Sequence, residues 1–505
     1  MLVYNKQIMK KYFNILTLIC LTISVTSCKK GFLEESSQDL VRPTTTAALN
    51  QLMSGEAYAL SPATPLNDYL DLLTDDIQSD YNSNTLIVAG LNKYAPVFTW
   101  QRNMIDKLIE VAPTGNNTWF NYYARIKGCN VILDYVDQVE GTQSEKENLR
   151  GQALALRSYY YFMLVNLFGK PYTGATSNPE TDLGVPLILT AEVSDAPIAR
   201  STVKAVYAQI EKDLLTSVPL LDANGTNNTA YKFTGSAAKL LLSRLYLYMG
   251  NWDESLKYSE ATIQKKSTLQ QYNSIVSTTI PATFPISYPI SSPEVIWGYG
   301  SYSELSVMPF GYAAGFAAKA AFSISDAFIS TYETDDLRLT YSFRNAGYFT
   351  ATSTVTYKAS SGKYNAALAS ASNGKAFRTA EAYLNRAEAN IQKAIAGDAS
   401  AVSRALADIN LLRSNRIKTA AYVPINITDP QALYTYYKAE RRRELCLEDH
   451  RWFDLRRWGM EPLTHTIQLV TGSPQTVTLS QDDSRFTLDI PTEALKRNPN
   501  LIQNP

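Results

Sequence analysis

Apolar residues recur every three or four positions along most of the chain, and that period predicts helices. Over residues 119–139 (WFNYYARIKGCNVILDYVDQV), Tyr123, Ile126, Val131 and Leu133 fall near this spacing. Residues 151–168 (GQALALRSYYYFMLVNLF) are apolar on most faces and run into Gly169, Lys170 and Pro171, the order of a helix, a C-cap glycine and a proline stop. The same period predicts helices within 206–218, 235–264, 377–395 and 403–415. Two stretches break it. Residues 267–322 are rich in Ser, Thr, Pro, Gly and Tyr, poor in charge, and too long for a plain connector. Residues 61–116 mix Asp68, Asp71, Asp75, Asp76 and Asp80 with Tyr69, Tyr81, Tyr94, Trp100 and Arg102. Both are expected to be non-helical loops that carry function.

Within 236–263 an apolar helix ends at Tyr248, Met249 and Gly250, turns through Asn251 and restarts at Trp252. This resembles a tetratricopeptide helix-turn-helix, and residues 383–411, with a turn at Gly397 and Asp398, look like a weaker copy. Stacked pairs of this kind bury a continuous core and leave a concave face. The expected fold is mostly α: tetratricopeptide-like pairs forming a single superhelical body over residues 47–505, with long irregular loops and minor β structure.

The N-terminus adds an address. Lys10 and Lys11 precede an apolar run over 12–25, and Thr26, Ser27 and Cys28 follow it, in the basic, apolar, small-residue order of a secretory signal. A membrane helix needs roughly 20 mostly apolar residues, and this run is shorter and carries Asn14, Thr17, Thr22 and Ser24. Val25, Thr26, Ser27 and Cys28 resemble the bacterial lipobox, which implies cleavage after residue 27 and lipid on Cys28. Residues 29–46, with Gly31, Ser36, Ser37, Pro43 and three threonines, suit a short tether. Lys29 and Lys30 follow the cysteine, without the aspartate that resembles an inner-membrane retention signal, which favours the outer membrane.

Charge and composition exclude several functions. With the signal removed, 44 basic residues face 47 acidic ones, a formal charge of −3, so nothing draws a phosphate backbone from a distance and a nucleic-acid partner is not expected. Cys129 and Cys446 lie in apolar stretches without a CxxC spacing and read as buried small hydrophobes. The only histidines are His450 and His465, which leaves no His-rich metal site and little basis for a Ser-His-Asp triad. No cofactor or metal is expected.

Residues 440–459 read ERRRELCLEDHRWFDLRRWG. This resembles the signature of SusD/RagB-like outer-membrane nutrient-binding lipoproteins, matched by Glu440, Arg441, Arg442, Glu444, Leu445, Glu448, Arg451, Phe453, Asp454, Leu455, Arg457 and Trp458. Residues 151–169, 378–388 (RTAEAYLNRAE) and 490–505 (IPTEALKRNPNLIQNP) agree with the same family. The resemblance implies tetratricopeptide-like helices, a lipid anchor at the outer face of the outer membrane, capture of glycans, and a SusC-like TonB-dependent transporter as partner, over which the lipoprotein sits as a lid.

Glu440, Glu444 and Glu448 stand four apart and could be taken for catalytic carboxylates. Helical spacing instead pairs Glu444 with Arg441, Glu448 with Arg451, and Asp454 with Arg451 or Arg457, and such partners lower a carboxyl pKa where a general acid needs it raised. A buried structural network is expected, in which losing one partner, as in Arg451→Ala, leaves an uncompensated charge. Sugar binding needs flat aromatics for the C–H face of a pyranose and polar groups for its hydroxyls. The candidates lie in the two irregular stretches: Tyr81, Trp100, Trp297, Tyr299, Tyr302 and Tyr312, with Asp80 and Arg102 as polar partners. Residues 292–297 (SPEVIW) look like a family pattern of a glutamate followed by apolar residues, which would turn Trp297 inward. A non-catalytic glycan-binding lipoprotein is the leading reading. A lipoprotein glycoside hydrolase using aspartates of 68–80, and a tetratricopeptide-type protein- or peptide-binding adaptor, stay open beside it.

Overall fold

Helix formation follows the apolar period, and most of the long helices start on a side chain that caps them. The computed structural model describes residues 42–58, 66–111, 117–192, 196–225, 230–275, 292–299, 319–349, 354–361, 363 and 375–505. Helix α1 (Thr46–Leu52) is capped by Thr45 and continues into a π-helical turn, Met53–Ala57. A short strand, β1 (Ile77–Ser79), precedes α2 (Thr85–Phe98) and α3 (Met104–Val111). Then come α4 (Thr118–Tyr135), α5 (Gln143–Phe168), α6 (Val203–Asn224), α7 (Gly235–Met249) and α8 (Trp252–Lys265). Thr142 and Glu145 close a capping box on α5, and Thr202, Thr234 and Asn251 cap α6, α7 and α8.

The second half opens on strands: β2 (Val295–Tyr299), β3 (Phe322–Ile324), β4 (Phe343–Phe349), β5 (Thr354–Ser361) and β6 (Lys375–Arg378). Helices α9 (Thr379–Ile395), α10 (Ala401–Ser414), α11 (Pro430–Leu445) and α12 (Arg451–Arg457) follow, then β7 (Leu463–Gln468), β8 (Pro474–Leu479) and α13 (Thr492–Arg497). Among the described residues the strands form four antiparallel pairs, β1 with β3, β2 with β6, β4 with β5 and β7 with β8.

Each of the helices α4 to α8 packs against the next, α8 packs against α9, and α9 against both α10 and α11. The expected tetratricopeptide-like stacking is present. Gly250, at φ +72°, makes the left-handed turn between α7 and α8, and Gly397, at φ +111°, the turn after α9, the two turns expected from sequence. Every side chain from Gln152 to Phe168 of α5 is buried, so the polar ones need partners. Arg157 meets Asp213 of α6 at 2.8 Å, and the Tyr160 hydroxyl donates to Ala57 O at 2.5 Å. Cys129 and Cys446 are free and buried. No described helix is long and apolar enough to cross a membrane.

Two expectations are corrected. Residues 61–116 are not one irregular stretch, since α2 and α3 occupy much of it; Ile87, Leu91, Tyr94 and Phe98 bury one face of α2 despite Pro96. Gly90, the other interruption, brings α2 close to Ala321, whose Cβ would lie 3.1 Å from an added methyl. Nor is 440–459 one helix. The chain leaves α11 at Cys446, passes Leu447 at φ +60° and Asp449 at φ +64°, and re-enters helix at Arg451. Helical spacing therefore does not carry across the break.

Candidate functional site

Where β1 pairs with β3, the short strand places Gln78, Asp80 and Tyr81 beside Ser323, Lys319 and Asp326. Ser323 Oγ donates to Asp80 Oδ2 at 2.5 Å, and Lys319 Nζ lies 3.5 Å from Oδ1. Burial raises the Asp80 carboxyl above the usual range, against the pull of Ser323 and Lys319. Gln78 Nε2 donates to Asp326 Oδ2 at 3.1 Å, and Lys319 lies over the Tyr357 ring at 5.5 Å. The Tyr81 hydroxyl is 2.7 Å from Thr471 Oγ1 in the β7–β8 turn, and its ring stays half-buried. The result is a polar rim with an aromatic at its edge and amide, carboxylate and ammonium groups within reach of sugar hydroxyls.

The other sequence candidates divide. Arg102 is tied to the C-terminal segment, to Asp489 at 3.1 Å and to Ser484. Trp100 is only 2% exposed: its indole N–H donates to Leu73 O at 3.0 Å, and its ring stacks on His465 at 4.2 Å, with Phe98 on the other side of the imidazole at 4.0 Å. It is a core residue and offers no free face. Trp297 and Tyr299 are also core residues, packed against Tyr159, Phe233 and Phe377, because β2 pairs with β6 beneath α5 and α7. Tyr302, Tyr312 and Cys28 lie outside the described residues. Gln78, Lys319, Ser323, Asp326, Tyr357 and Thr471 were not singled out from sequence, since no spacing joins residues 78 and 471.

The charged segment is buried, as expected, with different partners. Glu444 meets Arg378 at 2.9 Å, Arg416 at 3.0 Å and Arg338 at 3.1 Å rather than Arg441. Glu448 pairs with Arg378 at 2.7 Å and Lys363 at 2.5 Å, while Arg451 reaches Asp75 at 2.8 Å. Glu294, just before β2, joins Arg378 at 2.8 Å and Arg416 at 2.6 Å. Asp454 does meet Arg457 at 2.8 Å, and it also takes Arg441 at 2.9 Å. Trp458 and Arg457 both donate to Glu388 of α9. Burial alone would raise these carboxyls; the guanidiniums outweigh it, holding Glu444 well below its usual value and drawing Glu440 and Glu388 down to about 2.

Residues 254–505, which hold all of this network but Asp75, match the family described as the SusD family, and residues 31–247 match the family described as "Starch-binding associating with outer membrane". The chain belongs to the SusD/RagB-like family. Solved SusD-family structures share its fold. A SusD-like carbohydrate binding protein from Bacteroides vulgatus is 20% identical, with 91% of this chain and 97% of that chain covered and a TM-score of 0.65. SusD superfamily proteins from Bacteroides thetaiotaomicron (20% identical, 91% and 98% covered, TM-score 0.67) and Bacteroides fragilis (21%, 91% and 100%, TM-score 0.68) align similarly. No curated protein matches the chain.

In this SusD-family chain the signature is therefore an internal frame. Its charges tie α11 and α12 to Arg378 of β6, through Arg378 to Glu294 just before β2, and to Asp75 and Asp76 just before β1. Arg442 takes part by donating to Asp76 at 2.7 Å, and Arg443 by meeting Glu440 at 2.7 Å. Phe453 fills the core beside them. The low carboxyl pKa values and the burial are those of ion pairs, not of a general acid open to substrate.

Proposed function

We propose that this chain is a cell-surface lipoprotein that binds oligosaccharides without catalysis and delivers them to a SusC-like TonB-dependent transporter. The observation that supports it most is the rim: Tyr81 offers an aromatic edge next to Asp80, Gln78 and Lys319, a set suited to stacking and hydrogen bonding with a pyranose. The family's described starch binding and outer-membrane association point the same way. Substituting Tyr81→Ala is expected to weaken retention on a binding polysaccharide by about tenfold, with thermal melting little changed, and affinity gel electrophoresis would measure it. Retention equal to wild type removes Tyr81 from the site.

The hydrolase reading draws on Asp68 and Asp71, whose carboxyls burial pushes up to about 6 and about 7, values a general acid could use. Asp71, however, is 6% exposed and Asp76 wholly buried, whereas a general acid must touch the glycosidic oxygen. Sustained release of reducing ends from a polysaccharide panel would establish catalysis. Anchoring rests on Cys28. A Cys28→Ala variant is expected in the soluble fraction after lysis, and a variant still fully membrane-bound would contradict lipid attachment there.

A further inference from the structure

Because the chain turns at residues 446–450, one face of α11 looks across at one face of α12. Lys438 and Arg442 from the first, Arg451 and Leu455 from the second, and Trp458 just after it line a notch of about 210 Å³. This is smaller than a drug-sized pocket and of the order of one sugar ring. The arginines are fixed from behind. Arg451 gives Nε and Nη2 to Asp75 at 2.8 and 2.9 Å, and Arg442 gives Nε to Asp76 at 2.7 Å. Neither aspartate lines the notch, and Arg451 Nη1 has no hydrogen bond among the described residues. Lys438 lies over the Tyr434 and Trp458 rings at 5.3 and 6.0 Å, and its ammonium has no hydrogen bond or ion pair among the described residues. The one carboxylate lining the notch, Glu461, is exposed at the rim, where water screens it.

We propose that this notch receives an acidic sugar residue, its carboxylate on Lys438 Nζ and Arg451 Nη1 and its C–H face against Trp458 and Leu455. A forked guanidinium held by aspartate on one edge presents its other edge ready-oriented, and the adjoining indole and leucine favour a ring over a bare anion. The inference rests on the glycan-binding reading and narrows it to uronate-containing chains, at a place separate from the Tyr81 rim.

The test is affinity gel electrophoresis of the full-length protein on polygalacturonate, alginate and glucuronate-bearing xylan, each beside its methyl ester. At least one acid form is expected to retain the protein, its ester much less, and added salt to weaken the retention. Lys438→Gln is expected to lower that affinity about tenfold and Lys438→Glu further, with melting unchanged because the side chain is partly exposed. Equal retention by acid and ester, or unaltered binding by both Lys438 variants, overturns the inference. If neutral polysaccharides retain the protein and uronates do not, the inference falls and the glycan reading stands. If no polysaccharide does, both fall. Acidic peptides binding where uronates fail also overturns it.

Discussion

Arg378→Ala is expected to cost about 3–5 kcal/mol of stability, the range for removing one partner from a buried ionic network. The arginine is 1% exposed and holds three carboxylates at once: Glu294 at 2.8 Å, Glu444 at 2.9 Å and Glu448 at 2.7 Å. Its Nη2 also donates to Glu444 O at 3.1 Å. Without it, Arg416, Arg338 and Lys363 still neutralise part of the charge, but the oxygens facing Arg378 lose their donors in a place water does not reach. Arg378→Lys is expected to recover only part of the loss, since an ammonium cannot fork between three carboxylates. Urea midpoints at constant m-value measure both, and an alanine variant within about 1 kcal/mol of wild type would refute the account. Arg451→Ala, the change that helical spacing singles out, should cost less, because its partner Asp75 has a side chain 32% exposed.

The second large effect is one of pH. Asp71 ionises near 3.8 when exposed and near 7 in the fold, because burial disfavours its charge more than Lys375 and Lys363 favour it. Below about pH 4 it is protonated in both states. As pH rises toward 7 the unfolded chain gives up this proton while the folded chain keeps it, so stability is lost across that window and stays low above it. Asp71→Asn removes the liability. It is expected to raise the urea-derived stability by about 3–4 kcal/mol at pH 8 and by much less at pH 5. An equal effect at both pH values would contradict the assignment. Glu440 and Glu388 act in the opposite sense: their ion pairs contribute fully above about pH 4.5, and the contribution is lost as pH falls through about 2. Between them, these three groups favour a pH of about 4–5.

Much of the fold is legible in the sequence because it is local. The α7–α8 pair announces itself through its apolar period and the glycine between the helices, and α5 through its unbroken run of apolar residues and the stop after Phe168. Helix α2 is hidden because Gly90 and Pro96 look like breakers; the first serves a close approach to Ala321 and the second falls in the last turn, where the helix is ending. The signature's burial could be inferred from Leu445, Trp452 and Phe453, but its partners could not. Residues 294, 338, 363, 378 and 416 reach it from other elements; of the pairs expected from helical spacing only Asp454 with Arg457 forms, beside Glu440 with Arg443, which the spacing also allows. Candidate aromatics fail for a related reason. A tyrosine or tryptophan in a polar stretch looks exposed, yet Trp100 and Trp297 are the apolar fillings of their neighbourhoods, and only tertiary packing distinguishes them from Tyr81.

Lys363 and Lys375 bracket a segment of the chain and are themselves held in the frame, Lys363 by Glu444 O at 2.8 Å, Cys446 O at 2.9 Å and Glu448, and Lys375 by Asp449 at 2.5 Å. The left-handed residues between α11 and α12 thus act as a socket with two fixed pins. Two lysines twelve positions apart are thereby tied to one turn of backbone, so a change that loosened this turn would release both.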